Sequence, residues 1–125
     1  MESVVIRSHR DLTVWQKSMD LAEIAYQLAA KFPPPETYRL GSQITRAVAS
    51  VPANIAEGNA RRTKRDYAHF VSVAKGSLME TETFLMLAVR LKYLSHENTA
   101  TAMNLIMEIS KMLTALRSRL IESAR

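Results

Sequence analysis

The 125-residue chain has no cysteine, which removes disulfides, thiolate zinc sites and thiol nucleophiles together and fits a reducing compartment. It has only three glycines and four prolines, and aromatic residues make up 6%, so no Gly-rich linker interrupts it. Long apolar runs are missing too. The longest, Phe84 to Val89, falls far below the ~20 residues of a membrane span. The opening Met-Glu-Ser-Val-Val-Ile-Arg-Ser has too short an apolar stretch for the core of a signal peptide, so a soluble, cytoplasmic protein without membrane contact is expected.

The constellations of catalysis are equally scarce. There is no Gly-x-x-x-x-Gly-Lys phosphate loop, no Gly-x-Gly-x-x-Gly and no Gly-x-Ser-x-Gly elbow. Glu80 and Glu82 point about 200° apart on a helix and cannot act as a carboxylate pair from that segment. A di-iron bundle needs inward carboxylates and two Glu-x-x-His pairs, whereas this chain offers only Asp66-Tyr67-Ala68-His69, with His9 and His96 near predicted ends. His69 reads as a surface or rim histidine. No catalytic residue, metal or cofactor is expected, and the chain is not read as an enzyme.

What is present suits helices: apolar residues reach 47%, and Ala, Leu, Met, Glu, Lys and Arg dominate. The length fits one domain over residues 12–125, following an extended N-terminal arm over 1–11. Apolar spacing predicts four helices. The first, from about Leu12 to Lys31 with Asp11 or Thr13 as cap, carries two apolar stripes: Trp15, Met19, Ala22, Tyr26 and Ala29, and beside it Val14, Leu21, Ala25, Leu28 and Phe32. Pro33, Pro34 and Pro35 end it.

The second helix is expected from about Glu36 to Asn59, with Leu40, Ile44, Ala47, Val48, Val51 and Ile55 buried, a kink or a break at Pro52, and Gly58 and Asn59 as C-terminal residues suited to positive φ. Thr63 caps a third helix from about Lys64 to Leu91. Gly76 in its interior points to a close helix crossing. Ser95 caps the fourth, to about Ser123, with Ala102, Leu105, Ile109, Met112, Leu116 and Leu120 as core and Ile106 and Leu113 widening it. Short connections favour an all-α, antiparallel up-down-up-down four-helix bundle with a proline-kinked second helix. Surplus apolar stripes on the first and third helices point to self-association.

A formal charge of +5 and a pI near 9.8 favour an acidic partner such as nucleic acid. Arg61, Arg62, Lys64 and Arg65 place four of the seventeen basic residues within five positions at the start of the third helix, whose free N–H groups also favour anions. Arg39 and Arg46 fall near Arg61 in helical phase and would prolong the patch. The same cluster also reads as a solvated turn held by salt bridges to Glu57 and Asp66. No interleaved aromatics suggest base stacking. Asn54 and Glu57 are expected to form a buried hydrogen-bond network that fixes the kink, with a ligand site as the alternative.

Three segments carry a resemblance: Asp11-Leu12-Thr13-Val14-Trp15, Ser50-Val51-Pro52-Ala53-Asn54-Ile55-Ala56-Glu57-Gly58, and Gly76-Ser77-Leu78-Met79-Glu80. Together they resemble the signatures of the 23S rRNA intervening-sequence proteins, over nearly the whole chain. Lys92 stands where many members have glycine. The resemblance implies a bacterial four-helix bundle assembled as a ring-shaped homopentamer, with no settled biochemical role. The expected function is therefore a non-enzymatic oligomer whose repeated basic patch binds RNA or DNA backbone, with a protein–protein scaffold as the alternative.

Overall fold

Two hydroxyl caps fix where the long helices begin. Thr63 accepts a bond from the Asp66 N–H, and Ser95 accepts one from the Asn98 N–H while Asn98 bonds back to the Ser95 N–H. In a computed structural model, which describes residues 7–124, four helices follow: α1 (Thr13–Ala29), α2 (Leu40–Asn59), α3 (Lys64–Arg90) and α4 (His96–Ser123). No strand occurs among the described residues. None of their helices is long and apolar enough to cross a membrane.

α1 lies against α2 and α4, and α3 lies against the same two helices, so the four enclose one core. Leu21, Ile44, Ile55, Leu78, Leu85, Ile106, Ile109 and Leu113 are fully buried in it. Each such side chain contributes about 1.5–3 kcal/mol by leaving water. Two polar residues that enter the core bond back one turn: Ser18 donates to the Val14 carbonyl at 2.7 Å and Thr81 to the Ser77 carbonyl at 2.9 Å. Every apolar residue expected inside α2 is buried. In α4 the buried line is Ala102, Ile106, Ile109 and Leu113, while Leu105, Met112, Leu116 and Leu120 flank it half-buried. The expected stripe was therefore centred one ridge too far round.

The first connection is tighter than expected. Pro34–Tyr38 forms a 3-10 turn, so α2 starts at Leu40 and not at Glu36. Glu36 pins that turn by accepting bonds from the Leu40 N–H at 3.3 Å and the Tyr93 hydroxyl at 3.2 Å, while the Phe32 and Tyr93 rings meet at 5.5 Å. Burial, and then the charge of Glu36, hold the Tyr93 hydroxyl above its ordinary pKa of 10.0. Of the arm expected over 1–11, residues 1–6 lie outside the described residues. His9–Asp11 is not extended but a short 3-10 turn: Asp11 closes it by accepting the Arg7 and Ser8 N–H groups, and neither Asp11 nor Thr13 caps α1.

Pro52 leaves α2 in one piece, while two glycines act differently from their sequence reading. α2 continues as one helix through Pro52, so no break occurs. Gly58 is not a positive-φ terminator; it lies buried inside α2, where a Cβ would sit 2.8 Å from Phe70 Cβ and 2.9 Å from Tyr67 Cδ1. Gly76 marks no crossing, since a Cβ there would meet nothing within 4 Å. The positive φ belongs instead to Lys92, at 64°. The Tyr93 N–H reaches the Ala88 carbonyl and the Lys92 N–H the Val89 carbonyl, each at 3.0 Å, the paired bonds of a Schellman ending.

Two thermal-melt comparisons follow from these backbone positions. Gly58→Ala is expected to lose about 1–3 kcal/mol to overpacking, and Gly76→Ala to gain about 1 kcal/mol of helix propensity; equal effects at both sites would refute the assignment. Lys92→Gly is expected to raise stability by roughly 0.5–1 kcal/mol by relieving the left-handed backbone, measured as an increased urea midpoint with an unchanged slope.

Candidate nucleic-acid interface

The turn between α2 and α3 is short because the two helices meet closely beside it. Missing side-chain bulk at Gly58 admits Tyr67 and Phe70, and Asn59 donates to the Tyr67 hydroxyl at 3.4 Å. Arg61, although exposed like its neighbours, folds back onto this corner. Its guanidinium donates to Glu57 at 2.6 Å and lies 4.6 Å from the centre of the Phe70 ring, a cation–π contact. The remaining cations are left outside. Arg62, Lys64 and Arg65 are exposed and form no salt bridge among the described residues.

The four clustered cations thus have unlike roles. Arg61 braces the corner, while the other three face solvent beside the first turn of α3, where unpaired N–H groups add positive potential. Asp66 stands in that turn and offsets part of the potential. His69 is exposed, edge-on to Phe70 at 5.5 Å.

The proposed extension of the patch divides. Arg46 is exposed part-way along α2 and lines a polar groove of about 270 Å³ with Gln43, Ser50, Ser77 and Glu80. Arg39 precedes α2, at the end opposite Arg61, and reaches toward Glu36 at 3.9 Å. At ~1.5 Å per residue, the helix between Arg39 and the corner is about 30 Å long. Helical phase brought Arg39 into line with the cluster, but the rise of the helix carries it away.

Asn54 and Glu57 also part company. Asn54 donates to the Ser50 carbonyl and hydroxyl, both at 2.8 Å, and the Ser77 hydroxyl donates to Ser50 Oγ at 2.9 Å. This half-buried network ties α2 to α3 beside Pro52, which lies between Ser50 and Asn54 and whose missing N–H withdraws a helix donor. Glu57 takes no part in it. Its side chain is 54% exposed and, among the described residues, pairs only with Arg61, so the expected buried role for Glu57 is corrected. Ser50 and Ser77 were the residues that sequence reasoning passed over. The signal was available, since each lies within one of the three quoted segments, but a serine at helical spacing does not announce its partner.

A family model described as 23S rRNA-intervening sequence protein matches residues 10–115. A crystal structure at 1.70 Å resolution, of a protein with unknown function from the S23 ribosomal protein family of Bacteroides thetaiotaomicron VPI-5482, is similar with a TM-score of 0.75 and 25% identity. The likeness covers 84% of this chain and 98% of that one. No curated protein matches the chain.

Separating the two polar residues is a matter of stability measurement. Asn54→Ala is expected to cost about 1–2 kcal/mol in urea denaturation, because it strips two bonds from a half-buried network. Glu57→Ala is expected to stay within the ~0.5 kcal/mol typical of an exposed helical ion pair. The reverse order would contradict the assignment.

Proposed function

The chain belongs to the 23S rRNA-intervening sequence protein family, and from that premise we propose that it is a non-enzymatic, oligomeric protein that binds the backbone of RNA or DNA as a ribonucleoprotein accessory factor. The observation that carries this reading is the exposed trio of Arg62, Lys64 and Arg65, unpaired with carboxylates among the described residues. Phosphates are the natural partners of such cations, and their neutralisation releases counterions from the strand. Tyr67 packs against the core and the Phe70 ring is covered on one side by Arg61, so the corner is read here as offering charge rather than a stacking platform for bases.

One corner of this size binds weakly. Repetition around a homo-oligomer, a ring-shaped homopentamer in this proposal, lets one strand engage several corners at once and multiplies the effective affinity. The architecture proposed with it is an antiparallel up-down-up-down bundle with α2 bent at Pro52. Support comes from paired contacts of opposed numbering: Ser50 with Ser77 and Gly58 with Phe70 across α2 and α3, and Ser72 with Arg117 and Lys75 with Thr114 across α3 and α4. The setting proposed is the bacterial cytoplasm.

A protein–protein scaffold is the second reading. Exposed Met86, Leu91 and Met107 favour it, since methionine-rich surfaces adapt to varied partners.

Fluorescence anisotropy with a labelled single-stranded RNA tests the first reading. Combined Arg62→Glu, Lys64→Glu and Arg65→Glu substitution is expected to reduce affinity at least roughly a hundredfold, and Arg39→Glu to leave it within about twofold. An equal response to both changes, or no binding by the unmodified chain, would move the assignment to the scaffold.

A further inference from the structure

Two apolar surfaces remain uncovered on the protomer, and they differ in charge. On α1, Met19 and Tyr26 are 43% and 52% exposed, with Ala22 between them and the carboxylates of Asp20 and Glu23 alongside. Between α3 and α4, a groove of about 390 Å³ is lined by Met86, Val89 and Met103, with Arg90 and His96 at its margin. Met107, 58% exposed, continues this surface one turn along α4. Asp20, Glu23 and Arg90 form no salt bridge among the described residues. Glu82 and Glu97 belong to the same two helices as the groove, but neither lines it.

We propose that the acidic apolar face of α1 in one copy of this chain seats in the methionine groove between α3 and α4 of the next copy, whose one charged lining residue is Arg90. The inference rests on the oligomeric part of the function proposed above and names the surfaces that would form the contact. Charge complementarity selects the occupant. Two faces would bring carboxylate against carboxylate and two grooves Arg90 against Arg90, whereas a face and a groove pair carboxylates with Arg90 and each supplies apolar surface that the other covers.

Such a contact is heterologous: each copy uses a different surface toward each neighbour, and the series ends in a ring or runs on as a filament. The heights of the two surfaces favour a ring. The Lys17–Glu108 bridge of 2.6 Å, together with the cleft in which residues 11–14 meet Met112, Leu116 and Arg119, runs α1 against α4 in opposed numbering, which brings residues 19–26 level with residues 99–106. The groove joins Thr99 and Met103 of that same level to Leu85, Met86 and Val89 of α3. Face and groove therefore lie at one height along the bundle, so each added copy is rotated without being raised.

Tyr26→Arg disables the face and Met86→Arg disables the groove, each at an exposed position. Sedimentation velocity of the full chain should give one closed assembly, and each variant alone should give monomers. Mixed together they should give one-to-one dimers and nothing larger, because one intact face then meets one intact groove. Monomers in the mixture, or variants that assemble as the unmodified chain does, would overturn this pairing while leaving the oligomeric reading in place. An unmodified chain that stays monomeric would remove both. Should either variant melt early by circular dichroism, Glu23→Arg and Arg90→Glu give the same decision: each alone must weaken assembly and the pair together restore it, and failure of restoration counts against the proposal.

Discussion

The close approach of α2 to α3 at Gly58 governs the cationic end of the molecule. Only a residue without a side chain lets α2 lie this near Tyr67 and Phe70, and the helix contact is the most extensive in the protein. With the helices this close, Phe70 comes within reach of Arg61, and the cation is drawn onto its ring. The connection then has to turn within a few residues, which leaves Arg62, Lys64 and Arg65 on its outer side. A broader crossing would let Arg61 swing free and spread the charge.

A second tie holds the same pair of helices where α2 is weakest. Pro52 cannot donate along the helix, and two residues on, Asn54 reaches the Ser50 carbonyl and hydroxyl while Ser77 meets Ser50 from α3. The register of α2 on α3 is thereby fixed at two places, Gly58 and Ser50, about two helical turns apart. Apolar burial supplies most of the favourable energy for packing, but it is tolerant of small slides. The glycine contact and the serine pair are not, because one depends on van der Waals distance and the other on hydrogen-bond geometry.

Much of this was legible in the residues alone. The caps at Thr63 and Ser95 mark the starts of α3 and α4, and the buried line of α2 follows from its spacing, because both signals are local. The glycines were misassigned for the opposite reason: whether a missing side chain meets another helix depends on a segment elsewhere in the chain. In α4, apolar residues on adjacent ridges made two phases plausible, and only packing chose Ile106 and Leu113 for the centre. The basic cluster was visible, and so was Glu57 one turn before Arg61, but the Phe70 ring that holds Arg61 apart from Arg62 comes from another helix. The resemblance seen in three short segments agrees with the family match across residues 10–115.

The central claim is that an array of outward cations on this fold meets phosphate. Its most direct measurement is the binding constant of the full chain for a single-stranded RNA, followed across a series of salt concentrations. The account predicts that the logarithm of the constant falls linearly with the logarithm of salt, by about 0.7 for every phosphate neutralised, and that Arg62→Ala makes the slope shallower. A constant that does not change with salt, or a slope indifferent to Arg62, would contradict it.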